Sequence, residues 1–152
     1  MTNAPLDSPA DERPLMDDLS FLLARSNAAS LVAGNAALAP FGLRVRSYSV
    51  LASACAPATM TQREIAEFLR LDPSQVVPLV DDLEAKGLVD RAPDPRDRRA
   101  NVISATPAGT ALFTAARVAI LEAERTTHAA LTDRERETLA RLLHKTAFPE
   151  EG

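Results

Sequence analysis

The chain has 152 residues, room for one domain or one domain with an appendage. Seventeen Lys and Arg against 21 Asp and Glu leave a formal charge of −4, which excludes a histone-like polybasic coat but not a local basic patch. A single Cys excludes an internal disulfide framework and paired-Cys zinc motifs, and no apolar run is long enough for a membrane span.

The first 14 residues carry three Pro, are acidic, and lack the basic start and apolar stretch of a secretory signal. They read as a disordered tail on a cytoplasmic protein with no membrane partner. From Leu15 the pattern changes. Leu15, Leu19, Leu22, Leu23, Leu31, Val32 and Leu38 recur at helical spacing, which predicts one long helix to about Ala39, stopped by Pro40 and Gly42. With 28 Ala and no Trp, helices packed through small aliphatic side chains are favoured throughout.

A second helix is predicted from about Val45 to Ala54, with Val45, Tyr48, Leu51 and Ala52 on one side and Pro57 beyond its end. Thr61 followed by Glu64 is a capping box that opens a short helix burying Ile65, Phe68 and Leu69. Asp72-Pro73 restarts the helix at once. Val76, Leu79, Val80 and Leu83 form its inner stripe, and Gly87 caps its end. Two short helices across a tight turn make a helix-turn-helix. Leu88-Val89 and Asn101 to Ser104 are strand-like pieces flanking the polar stretch Ala92 to Arg99, so a hairpin with a charged tip follows. Thr106-Pro107 starts a helix with Leu112, Ala116, Ala119, Ile120 and Ala123 inside. Thr132 with Glu135 caps a last one with Leu139, Leu142 and Leu143 inside.

A helix-turn-helix followed by a hairpin is a winged helix, which sends its second helix into the major groove and its wing to the flanking backbone or minor groove. The stretches Met60 to Ala66, Val80 to Val89, Arg91 and Asp94 to Arg99, with Gly42-Leu43 and Thr106-Pro107-Ala108-Gly109, resemble the MarR family of transcriptional regulators. The resemblance implies a mainly α fold with a small β-hairpin, in which residues 45–106 are the DNA-binding domain and residues 15–44 and 107–147 supply dimerisation helices. It also implies a homodimer on pseudo-palindromic operators, released by small aromatic or phenolic effectors or, in some members, by oxidants. It further implies that Asp97 pairs with Arg99 and orients it toward the minor groove.

The residues themselves give the candidate contacts. In the wing, Arg91, Arg96, Arg98 and Arg99 outnumber Asp94 and Asp97 in an otherwise acidic chain. On the recognition helix, Ser74, Gln75, Val77, Pro78 and Asp81 face outward. Gln75 can pair with adenine, Ser74 with a base or phosphate, and Val77 with a thymine methyl. Pro78 removes one backbone bond and tends to kink the helix. Thr61 and Gln62 begin the preceding helix, where phosphate can sit, although capping alone accounts for Thr61. Cys55 reads as a small buried hydrophobe. His128 and His144 stand apart without ligand spacing, so no metal or other cofactor is expected. Phe41 and Tyr48 are candidates for an effector pocket, with core packing the plainer role. No nucleophile–base pair or phosphate loop points to an enzyme. A DNA-binding regulator is the expected function, probed against one alternative, a winged-helix interaction module that has lost DNA binding.

Overall fold

The computed structural model describes residues 15–149. The tail expected at residues 1–14 lies outside them. In chain order the elements are α1 (Leu19–Leu38), a 3-10 turn (Ala39–Phe41), α2 (Val45–Ala54), β1 (Met60–Thr61), α3 (Gln62–Leu69), α4 (Pro73–Ala85), β2 (Val89–Pro93), β3 (Asn101–Ala105), α5 (Pro107–Thr127) and α6 (Asp133–Ala147).

The helix starts follow side-chain chemistry. α1 begins at Leu19 rather than Leu15, because Asp18 caps it and accepts the Ser20 amide at 2.9 Å. At α3 the Glu64 amide donates to Thr61 Oγ1 at 3.2 Å and the Thr61 amide donates to Glu64 Oε2 at 2.7 Å. Thr132 and Glu135 repeat the arrangement at α6. Gly87 leaves α4 at φ 69, in the left-handed region that glycine tolerates.

The sheet corrects the expected hairpin in two ways. It has three antiparallel strands in the order β1-β3-β2, because Met60 and Thr61 pair with Ile103 and Val102. Two residues are too few for an alternating pattern to register. In addition, β2 runs on through Asp90, Arg91, Ala92 and Pro93, the last opposite Asn101. Pro93 is tolerated because β2 is an edge strand.

The core gathers Leu38, Val50, Leu51, Ile65, Ala66, Val76, Val80, Leu83, Val89, Ile103 and Ala116, all fully buried. On α2 the buried side is Val50, Leu51 and Ala54, while Val45 and Tyr48 are half-buried. Phe68 is the clearest departure: it points outward, 54% exposed, and Ala66 is buried instead. At about 100° per residue, the inward direction of α3 lies between Ile65 and Ala66, near Leu69, and Phe68 falls to the side.

Leu139, Leu142 and Leu143, expected inside, are exposed, and α6 buries no residue in its own chain. The same holds at the start of α1, where Leu19 is 69% exposed. Beyond it α1 packs along α5 and crosses α2 at Gly34, where a Cβ would lie 2.8 Å from Val45 Cγ2.

Candidate nucleic-acid interface

The first turn of α4 is held by the side chains expected to read DNA. Asp72 Oδ1 accepts the Ser74 amide at 2.8 Å and the Ser74 hydroxyl at 2.6 Å, and Gln75 Oε1 accepts the Asp72 amide at 3.3 Å. A bidentate pairing of Gln75 with adenine therefore requires it to release Asp72. Val77 stands exposed on the outer face. Pro78 is exposed too, at the edge of a cleft that also includes Asn35, Gly42 and Arg44, and α4 runs unbroken through it.

The wing arginines divide into two kinds. Arg91 is tied down: it pairs with Asp81 and Glu84 of α4, and its Nε donates to Gln62 Oε1 at 2.9 Å. It thereby fastens β2 to both helices of the helix-turn-helix. Arg96 pairs with Asp94 at 2.9 Å and with Glu64 at 3.2 Å, which fastens the wing to the N-terminus of α3. Arg98 and Arg99 are exposed, with no ion pair among the described residues. The pairing of Asp97 with the Arg99 guanidinium is not what the structure holds. Asp97 Oδ1 instead accepts the Arg99 backbone amide at 3.0 Å, so it shapes the turn and leaves the guanidinium free of it.

These contacts set the local electrostatics. The Thr61 amide, then Arg96, hold the Glu64 carboxyl below its ordinary value, and Arg96 does the same for the buried Asp94. Asp94 and Glu64 in turn raise Arg96. A carboxyl depressed in the folded state contributes stability above its unfolded pKa and loses it as pH falls through the folded one. The melting temperature is therefore expected to drop from about pH 5 towards pH 3, and Glu64→Gln or Asp94→Asn to flatten that drop. Calorimetric melts across this range check it.

A second feature lies away from the wing. α1, α2 and α5 enclose a cavity of about 270 Å³ whose wall includes Ser30, Gly34, Tyr48, Ile120, Glu124 and His128. His128 Nε2 lies 3.3 Å from Ser30 Oγ. Burial pushes the Tyr48 hydroxyl pKa up, against an opposing pull from Arg117. Tyr48 thus lines the cavity, whereas Phe41 packs against the core and is not part of its wall. His128 was not among the sequence candidates for this pocket. The signal was its position just past the end of α5, where it continues the i, i+4 spacing of Ile120 and Glu124. Burial also raises the Cys55 thiol, which is half-buried beside Thr110. His144 packs against Phe148.

Residues 42–100 match the family model described as MarR family. A transcriptional regulator (MarR family) from Rhodococcus sp. RHA1 superimposes with TM-score 0.86 at 42% identity, covering 92% of this chain and 99% of that one. CouR from Rhodococcus jostii RHA1, solved bound to p-coumaroyl-CoA, gives TM-score 0.81 at 40% identity with the same coverage. The multiple antibiotic resistance protein MarR of Escherichia coli K12 is 31% identical over 78 residues, 51% of this chain and 54% of that protein. The chain spans about half the length of the curated relatives it matches. With the winged helix in place and similarity to a solved member at 42% identity over 92% of this chain, the chain belongs to the MarR family of transcriptional regulators.

Proposed function

We propose that the protein is a DNA-binding transcriptional regulator that acts as a homodimer on a pseudo-palindromic operator and is released by a small aromatic effector. The observation that carries this reading is the pair of exposed guanidiniums at the wing tip, Arg98 and Arg99, which have no ion pair among the described residues. The other wing cations, Arg91 and Arg96, are already satisfied by carboxylates, so these two are the ones left to meet phosphate. Homodimerisation is supported by the apolar residues that α1 and α6 leave uncovered, Leu19, Leu22, Leu139 and Leu142 among them. Two-fold symmetry then spaces the recognition helices about 10 base pairs apart.

The effector belongs in the α1–α2–α5 cavity. Its 270 Å³ is just below the range of pockets for drug-sized ligands, room for an aromatic ring but not for a whole coenzyme A thioester. The Rhodococcus jostii relative solved bound to p-coumaroyl-CoA supports an aromatic acyl effector, and the size of this cavity would leave the nucleotide outside it. His128 and Ser30 offer the polar end that would meet a phenolic hydroxyl.

Anisotropy titrations with DNA from upstream of the protein's own gene test the reading. Binding to this DNA well above that to random DNA, relieved by p-coumaroyl-CoA, is expected. Equal binding to both DNAs contradicts it. His128→Ala should keep operator affinity and require roughly tenfold more effector, the scale of one buried hydrogen bond. An unchanged effector requirement removes His128 from the site.

A further inference from the structure

We propose that Phe148 is a positioning residue for DNA recognition: it latches the C-terminal helix onto the helix-turn-helix and so fixes the angle of α4 relative to the dimer arm. This rests on the dimeric, operator-binding reading above. α6 buries none of its residues in its own chain, yet its far end returns to the DNA-binding part. There the Phe148 ring stacks on Phe68 of α3, with centroids 6.0 Å apart and planes 27° from parallel. His144, one turn earlier on α6, packs on the Phe148 ring at 5.1 Å. The Phe148 amide donates to the His144 carbonyl at 2.9 Å, which keeps the ring on the last helical turn.

The place of contact gives it meaning. Phe68 precedes Arg70, the residue at φ 54 that turns α3 into α4. Thr146, Ala147 and Phe148 face Ala66, Glu67, Arg70 and Leu71 across one cleft. An outward Phe on α3 therefore has an occupant, and that occupant is the end of the helix assigned to the dimer arm. Offset aromatic pairs resist sliding and tilting more than aliphatic contacts do. A latch at this point removes a hinge between the arm and α4, and with it the freedom to follow half-sites at other spacings.

The chain has no Trp, so Phe68→Trp provides a single fluorescent reporter at the contact. Adding Phe148→Ala to that variant is expected to shift its emission to the red. Superimposable spectra overturn the latch. Operators with half-sites at the native spacing, or one base pair longer or shorter, then test its role. Phe148→Ala should bind the native operator roughly three- to tenfold more weakly and discriminate less among the three spacings. Phe148→Tyr should restore both, and sedimentation should show the same oligomer for all. A wild-type spacing profile in Phe148→Ala overturns the proposal, as does an altered oligomer, which would place Phe148 in the subunit interface. Failure of the wild type to prefer any operator sinks the regulator reading itself, whereas a preference that Phe148→Ala retains sinks the latch alone.

Discussion

Gly109→Ala is expected to destabilise the fold by about 3 kcal/mol or more, the largest effect of any single added methyl group. A Cβ at this position would overlap the Leu88 carbonyl oxygen and lie 2.9 Å from its carbon. That carbonyl cannot simply retreat, because it accepts the Thr106 amide at 3.0 Å. Thr106 in turn caps α5 by accepting the Gly109 amide at 3.0 Å, and its hydroxyl donates to the Gly87 carbonyl at 2.7 Å. Backbone therefore meets backbone where α5 leaves the wing, and moving α5 outward strips Leu51 and Leu88 of cover. Gly34→Ala should cost less, since its close neighbour is a Val45 methyl that can shift. Urea unfolding of the two variants checks the ranking. Wild-type midpoints for Gly109→Ala would contradict the close packing of α5 on Leu88.

The second large effect is expected on binding. The double variant Arg98→Ala/Arg99→Ala should weaken operator and random DNA together, by about 2–4 kcal/mol, and lower the salt slope by about 2, one unit for each phosphate that is no longer neutralised. Stability should hardly change, because neither side chain is buried or paired among the described residues. Arg96→Ala is different in kind. It releases Glu64 and the buried Asp94, so it loosens the wing from α3 and lowers stability as well as affinity. Titrations at two salt concentrations separate the cases. A double variant with normal affinity and an unchanged slope would remove the wing tip from the interface.

What the sequence reveals depends on whether a contact is local. Thr61 with Glu64, Asp72 with Pro73, Thr106 with Pro107 and Thr132 with Glu135 locate four helix starts, because capping is satisfied within four residues. The inner stripe of α4 is legible for the same reason. Phe68 and the leucines of α6 are not, because periodicity marks an apolar face without saying what covers it. The wing repeats one spacing twice, Asp94 to Arg96 and Asp97 to Arg99, so sequence alone cannot tell which pair closes. Both Asp side chains accept the backbone amide two residues on, but the structure closes only the first pair through its guanidinium, because Glu64 adds a second anion beside Arg96. His128 joins the cavity only once α1 and α5 pack together, a contact between distant segments.

The most direct measurement of the proposed function is a hydroxyl-radical footprint on DNA from upstream of the protein's own gene. Two symmetric patches of protected backbone, with centres about 10 base pairs apart and flanking protection that disappears in Arg98→Ala/Arg99→Ala, are predicted. Protection no greater than on random DNA, or a single unpaired half-site, would contradict a two-fold DNA-binding regulator and favour a winged-helix module that binds protein instead.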